Sequence, residues 1–381
     1  FSRRSGMVLT PLFKLMAEKQ ASDMFFTAGT PIQIKIQGDV MPINAQVLDP
    51  AAVKKICYEC MTEEQIAVFE RELEINFSLV ESGVGSFRVN VFRQRGAVAM
   101  VIRYIKVNIP SVEELRLPLM LKEVVMEKRG LIMVVGSTGS GKSSTLASMI
   151  NHRNQMKAGH ILTIEDPIEY MYRHAKSIVN QREVGIDTRN YANALVNAMR
   201  EAPDVILIGE CRDRETFRAA LAYAQTGHLC LTTVHANNSY YALNRVINFF
   251  AHEARNSLLM DLSVSLRAII SLRLVRDVHG KLCPATEILL NTNHIQELIR
   301  NGAVDQIKNA MEQSLSPGSQ TFEEALYSLY TDGTIALDEA LANADSATNL
   351  SWLINNGQVT SIESKRKQAD SQDLADIKLA V

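Results

Sequence analysis

A chain of 381 residues has the length of two or three domains, and 46% apolar with 22% charged residues is the balance of an ordinary globular protein. A formal net charge of −2, from 40 basic and 42 acidic residues, supplies no bulk field for nucleic acid. Five scattered cysteines do not make a disulfide framework in a chain of this size, which fits a reducing compartment. No stretch approaches the roughly 18 apolar residues of a membrane span.

In chain order, Phe1–Gly6 before Met7 reads as a tag remnant with no part in the fold. Apolar residues at Leu9, Leu12, Phe13, Leu15 and Met16 predict an amphipathic first helix over Val8–Lys19. Ala21–Phe26 and Ile32–Ile36 read as strands with a turn at Gly38-Asp39, Pro50–Cys60 and Thr62–Arg71 as helices, and Phe77–Val80, Gly85–Gln94 and Ala97–Ile105 as further strands. These elements predict an N-terminal α+β domain over residues 7–105. Residues 106–119 hold Pro110 and Pro118 without sustained periodicity, and read as a linker.

From residue 120 strands and helices alternate. Leu131–Val135, His160–Ile164, Val205–Ile208 and Leu229–Thr233 are short apolar runs of the kind buried on both faces of a parallel sheet. Helical patterns at Lys142–Met156, Tyr191–Ala202 and Arg214–Gln225 lie between them, which predicts a nucleotide-binding α/β core over residues 120–341. From Ser239 the pattern reads as mostly helical, with a hairpin around Asp277–Gly280. Residues 342–381 read as a polar, flexible tail.

The strongest chemical signal is Gly136-Ser137-Thr138-Gly139-Ser140-Gly141-Lys142-Ser143-Ser144, a G-x-x-x-x-G-K-S pattern between a strand and a helix. Glycines there let the backbone turn tightly with its N–H groups pointing inward, and the following helix N-terminus favours anions. Lys142 is expected to reach the β- and γ-phosphates of ATP, and the Ser143 hydroxyl to ligate Mg²⁺. Asp204–Ile208 is an apolar strand that leads into Gly209-Glu210, 68 residues after Lys142, which makes Glu210 a second candidate near Mg²⁺. Glu165, Asp166 and Glu169 follow another predicted strand, and a carboxylate there can orient an attacking water; a solvated acidic turn is the plainer alternative. His228 and His235 flank Leu229–Thr233, as phosphate-sensing or as structural histidines. Arg88, Arg93, Arg95 and Arg103 crowd the N-terminal strands. Composition alone reads them as a basic exposed face, although guanidinium also suits phosphate. Cys57-x-x-Cys60 has no second pair to complete a zinc site, and reads as two ordinary thiols.

Taken together these motifs resemble the secretion and pilus motor ATPases, and more narrowly the type IV pilus retraction ATPases of the PilT/PilU (twitching-motility) group. The resemblance covers residues 7 to 341 and rests on Ala21–Gly29, Phe87–Asn90, Gly136–Ser144, Ile161–Tyr170, Asn180–Gly185, Ile206–Thr216 and Thr226–Ser239. It implies a PAS-like N-terminal domain, a RecA-like P-loop core with a helical C-terminal region, and a homohexameric ring that hydrolyses ATP with Mg²⁺. Glu169 matches the catalytic glutamate of the family's aspartate box, Glu210 its Walker B glutamate, and His228 and His235 its histidine box. Arg88, Arg95 and Arg103 fall where the family presents arginines to nucleotide across the ring.

The implied partners are an inner-membrane platform protein, met from the cytoplasmic side, and a PilT-type ATPase, with no nucleic acid. Within the group the tail and Ser239–Phe250 lean to the accessory, PilU-type branch. Asn293–Arg300 reads NHIQELIR where PilT members carry A-I-R-N-L-I-R, which puts independent retraction in doubt. The competing expectations are a pilus-assembly or type II secretion ATPase, an ATP-binding adaptor ring with little hydrolysis of its own, and a conjugation-type translocase.

Overall fold

The computed structural model describes residues 9–36, 38–81, 83–105, 108–313 and 316–356. The chain divides after Ile109 into two compact units, and the short segment Ile168–Tyr172 belongs with the first of them.

The first unit runs α1 (Thr10–Glu18), β1 (Asp23–Phe26), β2 (Gln33–Ile36), β3 (Asp39–Pro42), α2 (Pro50–Glu59), α3 (Glu63–Glu72), β4 (Glu74–Glu81), β5 (Gly85–Gln94) and β6 (Ala97–Ile105). Its strands form one six-stranded antiparallel sheet in the order β3-β2-β1-β6-β5-β4. The helices start where local chemistry directs. Asp49 accepts the Ala52 N–H at 2.7 Å with Pro50 at the first helical position, and Thr62 and Gln65 form a reciprocal capping box. Alternation on β5 sends Phe87, Val89 and Val91 into a core with Phe13, Met16, Val53, Cys57 and Phe69, where Phe13 stacks on Phe87 at 4.1 Å. Cys57 and Cys60 are buried free thiols, each pushed up to about 12 by burial. The hairpin expected around Gly38-Asp39 is present: β3, an exposed four-residue strand, returns antiparallel to β2.

The second unit contains α4 (Met120–Val124), β7 (Gly130–Gly136), α5 (Lys142–Met156), β8 (Gly159–Glu165), β9 (Ser177–Glu183), α6 (Tyr191–Ala198), β10 (Val205–Ile208), α7 (Arg214–Gln225), β11 (Leu229–Val234), α8 (Ser239–Asn248), α9 (Arg255–Ser265), β12 (Leu266–Arg276), β13 (Leu282–Leu290), α10 (Asn293–Arg300), α11 (Ile307–Glu312), α12 (Phe322–Thr331), α13 (Leu337–Asn343) and α14 (Ala347–Asn356). Its seven-stranded sheet has the order β13-β12-β7-β11-β10-β8-β9, and every neighbouring pair is parallel except β12–β13. β7, β10 and β11 are buried along their whole length, which their unbroken aliphatic runs require.

One expectation is borne out here and one needs correction. The region after Ser239 is mostly helical, in α8 to α14, and it contains the expected hairpin. Leu266–Arg276 and Leu282–Leu290 are the long strands that frame it and extend the sheet beside β7. The tail expected from residue 342 is folded as far as residue 356. α14 sets Leu350 into a core with Val275, Phe322, Leu326 and Ala340. Residues 357–381 of that expected tail lie outside the described residues, as does Phe1–Gly6.

Among the described residues of this unit, Glu287 is one of three buried glutamates, with Glu183 and Glu323. Glu287 on β13 accepts from the Ser239 N–H at 2.7 Å and the Ser271 hydroxyl at 2.9 Å, and burial raises its pKa against those two bonds.

Two outcomes follow. Leu350→Ala should cost about 2–5 kcal/mol in a thermal or denaturant melt, whereas Trp352→Ala, on the same helix but exposed, should change stability by only about 0.5 kcal/mol. Equal effects would show that the helix is not packed through Leu350. A carboxyl with a raised folded pKa holds more protons folded than unfolded, so its contribution to stability falls as pH rises from about 4.3 through the folded value. Glu287→Gln should therefore lose less Tm than the parent over that rise, and an identical pH dependence would contradict the assignment.

Candidate nucleotide site

Parallel register brings the carboxyl ends of the central strands to one edge of the sheet. Val135 on β7 is level with Val234 on β11, and Ile208 on β10 is level with Thr232 on β11 and Ile164 on β8. The residues that follow those strands therefore meet: Gly136–Ser144 after β7, His235 after β11, Gly209-Glu210 after β10, and Glu165-Asp166 at the end of β8. Two strand spacings, about 10 Å, separate β10 from β7, so Glu210 stands within one phosphate chain's reach of the loop.

The loop is built to leave room for a ligand. Gly139 and Gly141 have φ of 79° and 94°, which an L side chain resists, and a Cβ at Gly136 would lie 2.3 Å from Ser140 Oγ and 2.7 Å from the Leu272 carbonyl. Lys142 opens α5 and its Nζ donates to the carbonyls of Gly136 at 2.9 Å and Ser137 at 2.7 Å, so the ammonium is held over the loop. The Ser140 hydroxyl is buried and makes no hydrogen bond among the described residues, an oxygen suited to a polar ligand. Ser143 and Ser144 follow on the first turn of α5 and are half-exposed, while Thr138 is exposed.

Glu210 is held on both oxygens. Arg212 donates from a guanidinium nitrogen to Oε2 at 2.8 Å, and His235 Nε2 lies 3.1 Å from Oε1. The backbone beneath it is tied across the edge: Gly209 N–H donates to Ile164 O at 2.8 Å, Thr233 Oγ1 to Gly209 O at 2.7 Å, and Cys211 N–H to Thr233 O at 2.9 Å. Glu165 accepts from Thr163 Oγ1 at 2.7 Å and Gln181 Nε2 at 3.3 Å.

Two groups in this cluster were missed by sequence reasoning. Arg212 lies inside a recognised motif, but only the fold shows its pairing with Glu210. Tyr191, the first residue of α6, reads in sequence as an ordinary helical aromatic. Burial, then Asp166 and Glu165, pushes its phenol well above the usual range, and its hydroxyl lies 3.1 Å from where a Cβ on Gly209 would stand.

One expected site residue of this unit, His228, does not join this edge. His228 precedes β11 rather than following it, so the length of the strand, roughly 20 Å, separates it from His235. Its Nδ1 lies 3.2 Å from Thr226 Oγ1 and 3.3 Å from the Tyr223 carbonyl, and its own carbonyl receives the Gly130 N–H at 3.0 Å. Glu169 is exposed on Ile168–Tyr172, the segment that belongs with the first unit. Arg88, Arg95 and Arg103 are also in that unit. Arg88 and Arg103 are directly opposed on β5 and β6, with Asp23 next in the same rung and bonded to Arg103 at 2.9 Å. Arg95 is exposed in the β5–β6 turn with φ 48°. Arg93 is a core-edge group that pairs with Glu70 and covers the Phe69 ring at 5.6 Å.

No helix among the described residues is long and apolar enough to cross a membrane. The profile of the type II/IV secretion system protein family matches residues 6–377. The type IV pilus ATPase PilU of Pseudomonas aeruginosa is 48% identical over 92% of this chain and 92% of its own length, and the retraction ATPase PilT of the same organism is 40% identical over 90% of this chain and all of its own. A solved structure of the pilus retraction motor PilT with bound ADP superposes with a TM-score of 0.83 at 40% identity, covering 89% of this chain and 98% of that one. The P-loop at the carboxyl edge of a parallel sheet, the acidic strand beside it and this likeness over nearly the whole chain have one meaning: the chain belongs to the type II/IV secretion system protein family, among its PilT/PilU pilus retraction ATPases.

Proposed function

We propose that this chain is the ATPase subunit of a type IV pilus retraction motor, in the accessory, PilU-like role beside a PilT-type ATPase. It works as a homohexameric ring at the cytoplasmic face of the inner membrane, against a pilus platform protein. The observation that carries the reading is the single sheet edge where Lys142, Glu210 and His235 meet, in a chain 48% identical to PilU. In this reading the loop amides, Lys142 and Ser140 bind the phosphates of ATP and stabilise the charge that grows on them during transfer. Ser143 and Glu210 offer an oxygen-only donor set that would hold a hard divalent cation such as Mg²⁺, which would neutralise phosphate charge. His235 holds Glu210 and reports on the phosphate end. Glu169, by its match to the family's acidic motif, orients the attacking water, and Arg88, Arg95 and Arg103 are the arginines offered to nucleotide in the ring. Hydrolysis then gates rigid-body movement that draws on the pilus base.

A second reading, an ATP-binding adaptor ring with little turnover of its own, draws on one observation: both oxygens of Glu210 are already paired, by Arg212 and His235. Steady-state ATP hydrolysis by the purified chain separates the two. Turnover at least about 100-fold above that of Lys142→Ala is expected, since a single side-chain partner of transferring phosphate is worth roughly that factor. Wild-type turnover no higher than the variant's, with nucleotide still bound, would favour the adaptor.

Gly209→Ala tests the edge itself. Its Cβ would stand 3.1 Å from the Tyr191 hydroxyl, 3.2 Å from Glu165 Cα and 3.3 Å from the Ile164 carbonyl, two of them backbone atoms that yield poorly. A stability loss of about 1–3 kcal/mol with a reduced kcat is expected. A variant with wild-type melting and turnover would mean that the β8 and β10 ends are not closely set.

A further inference from the structure

The loop that carries His235 is gripped from the far end of the same unit. Asn238 caps α8, taking the Tyr241 N–H on Oδ1 at 3.0 Å, and its Nδ2 donates to Asp345 Oδ2 at 3.0 Å. Asp345 lies between α13 and α14, 107 residues further along the chain. Its other oxygen takes Arg273 at 2.8 Å, and the same guanidinium nitrogen lies 3.5 Å from the Asn237 carbonyl. Arg273 also bonds the Asn343 carbonyl and stands 4.0 Å over the Phe322 ring. It directly follows Leu272, the partner of Gly136 across β12 and β7. Residues 237 and 238 are thus held by one ion pair, two residues beyond the imidazole that holds Glu210.

We propose that Asp345 is a positioning residue for the nucleotide site: through Asn238 and Arg273 it fixes the loop that aims His235 at Glu210, and so makes the α13–α14 segment a working part of the hydrolytic edge. Three features favour this over a simple tether for the C-terminal helices. Asn238 is buried and both ends of its amide are used, one toward α8 and one toward Asp345, so its rotamer has no freedom. A pair that only anchored α14 has no need of Asn238 or the Asn237 carbonyl. Lys308, 3.9 Å from Asp345 Oδ2 and 3.5 Å from Glu323, adds a second cation at the oxygen that Asn238 uses, so both oxygens of the carboxylate have a cationic neighbour. A partly buried charge with partners on both sides is costly to move, which suits it to transmit a displacement.

The inference rests on the reading of Glu210 and His235 as part of the ATPase site. It is tested by ATPase kinetics of Asp345→Ala, Asp345→Asn, His235→Ala and the Asp345→Ala/His235→Ala double variant. Asp345→Ala should lower kcat about tenfold or more with KM within about threefold, and Asp345→Asn, which keeps one acceptor, should fall between it and the parent. In the His235→Ala background Asp345→Ala should then change kcat less than about twofold, because its route to the site is gone. Equal factors in both backgrounds, or a change confined to KM, would overturn the proposal, as would an unchanged kcat. Failure of the ATPase reading shows separately, as wild-type turnover no higher than that of Lys142→Ala. The imidazole NMR signal of His235, identified by its loss in His235→Ala, needs no turnover: it should shift in Asp345→Asn, and an unmoved signal in that variant would sink the proposal by itself.

Discussion

The rest of the second unit depends on the register of its parallel strands. Parallel pairing directs the carboxyl ends of β7, β8, β10 and β11 to one edge, and their register brings those ends within about two residues of one another. A glycine-rich turn at one end, carboxylates at two others and an imidazole at a fourth are remote in sequence and become neighbours only through this pairing. A one-residue slip in any strand would turn its inward residues outward and move its terminal group away from the loop. The complete burial of β7, β10 and β11 makes such a slip costly, so the hydrophobic core sets the geometry of the polar edge.

That edge is electrostatically closed on itself. Glu210 sits between a permanent cation and a titratable one, Tyr191 is kept neutral by burial and by the acids around it, and Lys142 is drawn onto the carbonyls of its own loop. In the proposed function a phosphate chain with a divalent ion would compete for these same groups, and binding would exchange one set of charge-assisted contacts for another.

The C-terminal helices belong to this arrangement. Leu350 and Phe322 share a core with Val275 of β12, the strand beside the loop, while Arg273 on the same strand binds Asp345. Apolar packing and the ion pair thus act on one strand from the same elements, which gives the last described part of the chain a direct mechanical relation to the loop after β11.

Much of this was legible in the sequence because it depends on local chemistry. The aliphatic runs of β7, β10 and β11 and the glycines and lysine of Gly136–Ser144 state their conformations within a few residues. The resemblance to pilus motors rests on the same short segments. What escaped depends on distance along the chain. α14 was hidden by a polar composition in which the one buried leucine decides the fold. His228 and His235 look equivalent in sequence, flanking a single strand, yet an extended strand puts its two ends at opposite edges of a sheet. Arg212 and Tyr191 took on their roles only when α6, β8 and β10 were set side by side. The sequence alone determined the binding loop and the class of the fold, since backbone conformation and hydrophobic pattern are local; the tertiary structure decided which charged groups meet, because those contacts are made between residues tens of positions apart by packing that no single segment encodes.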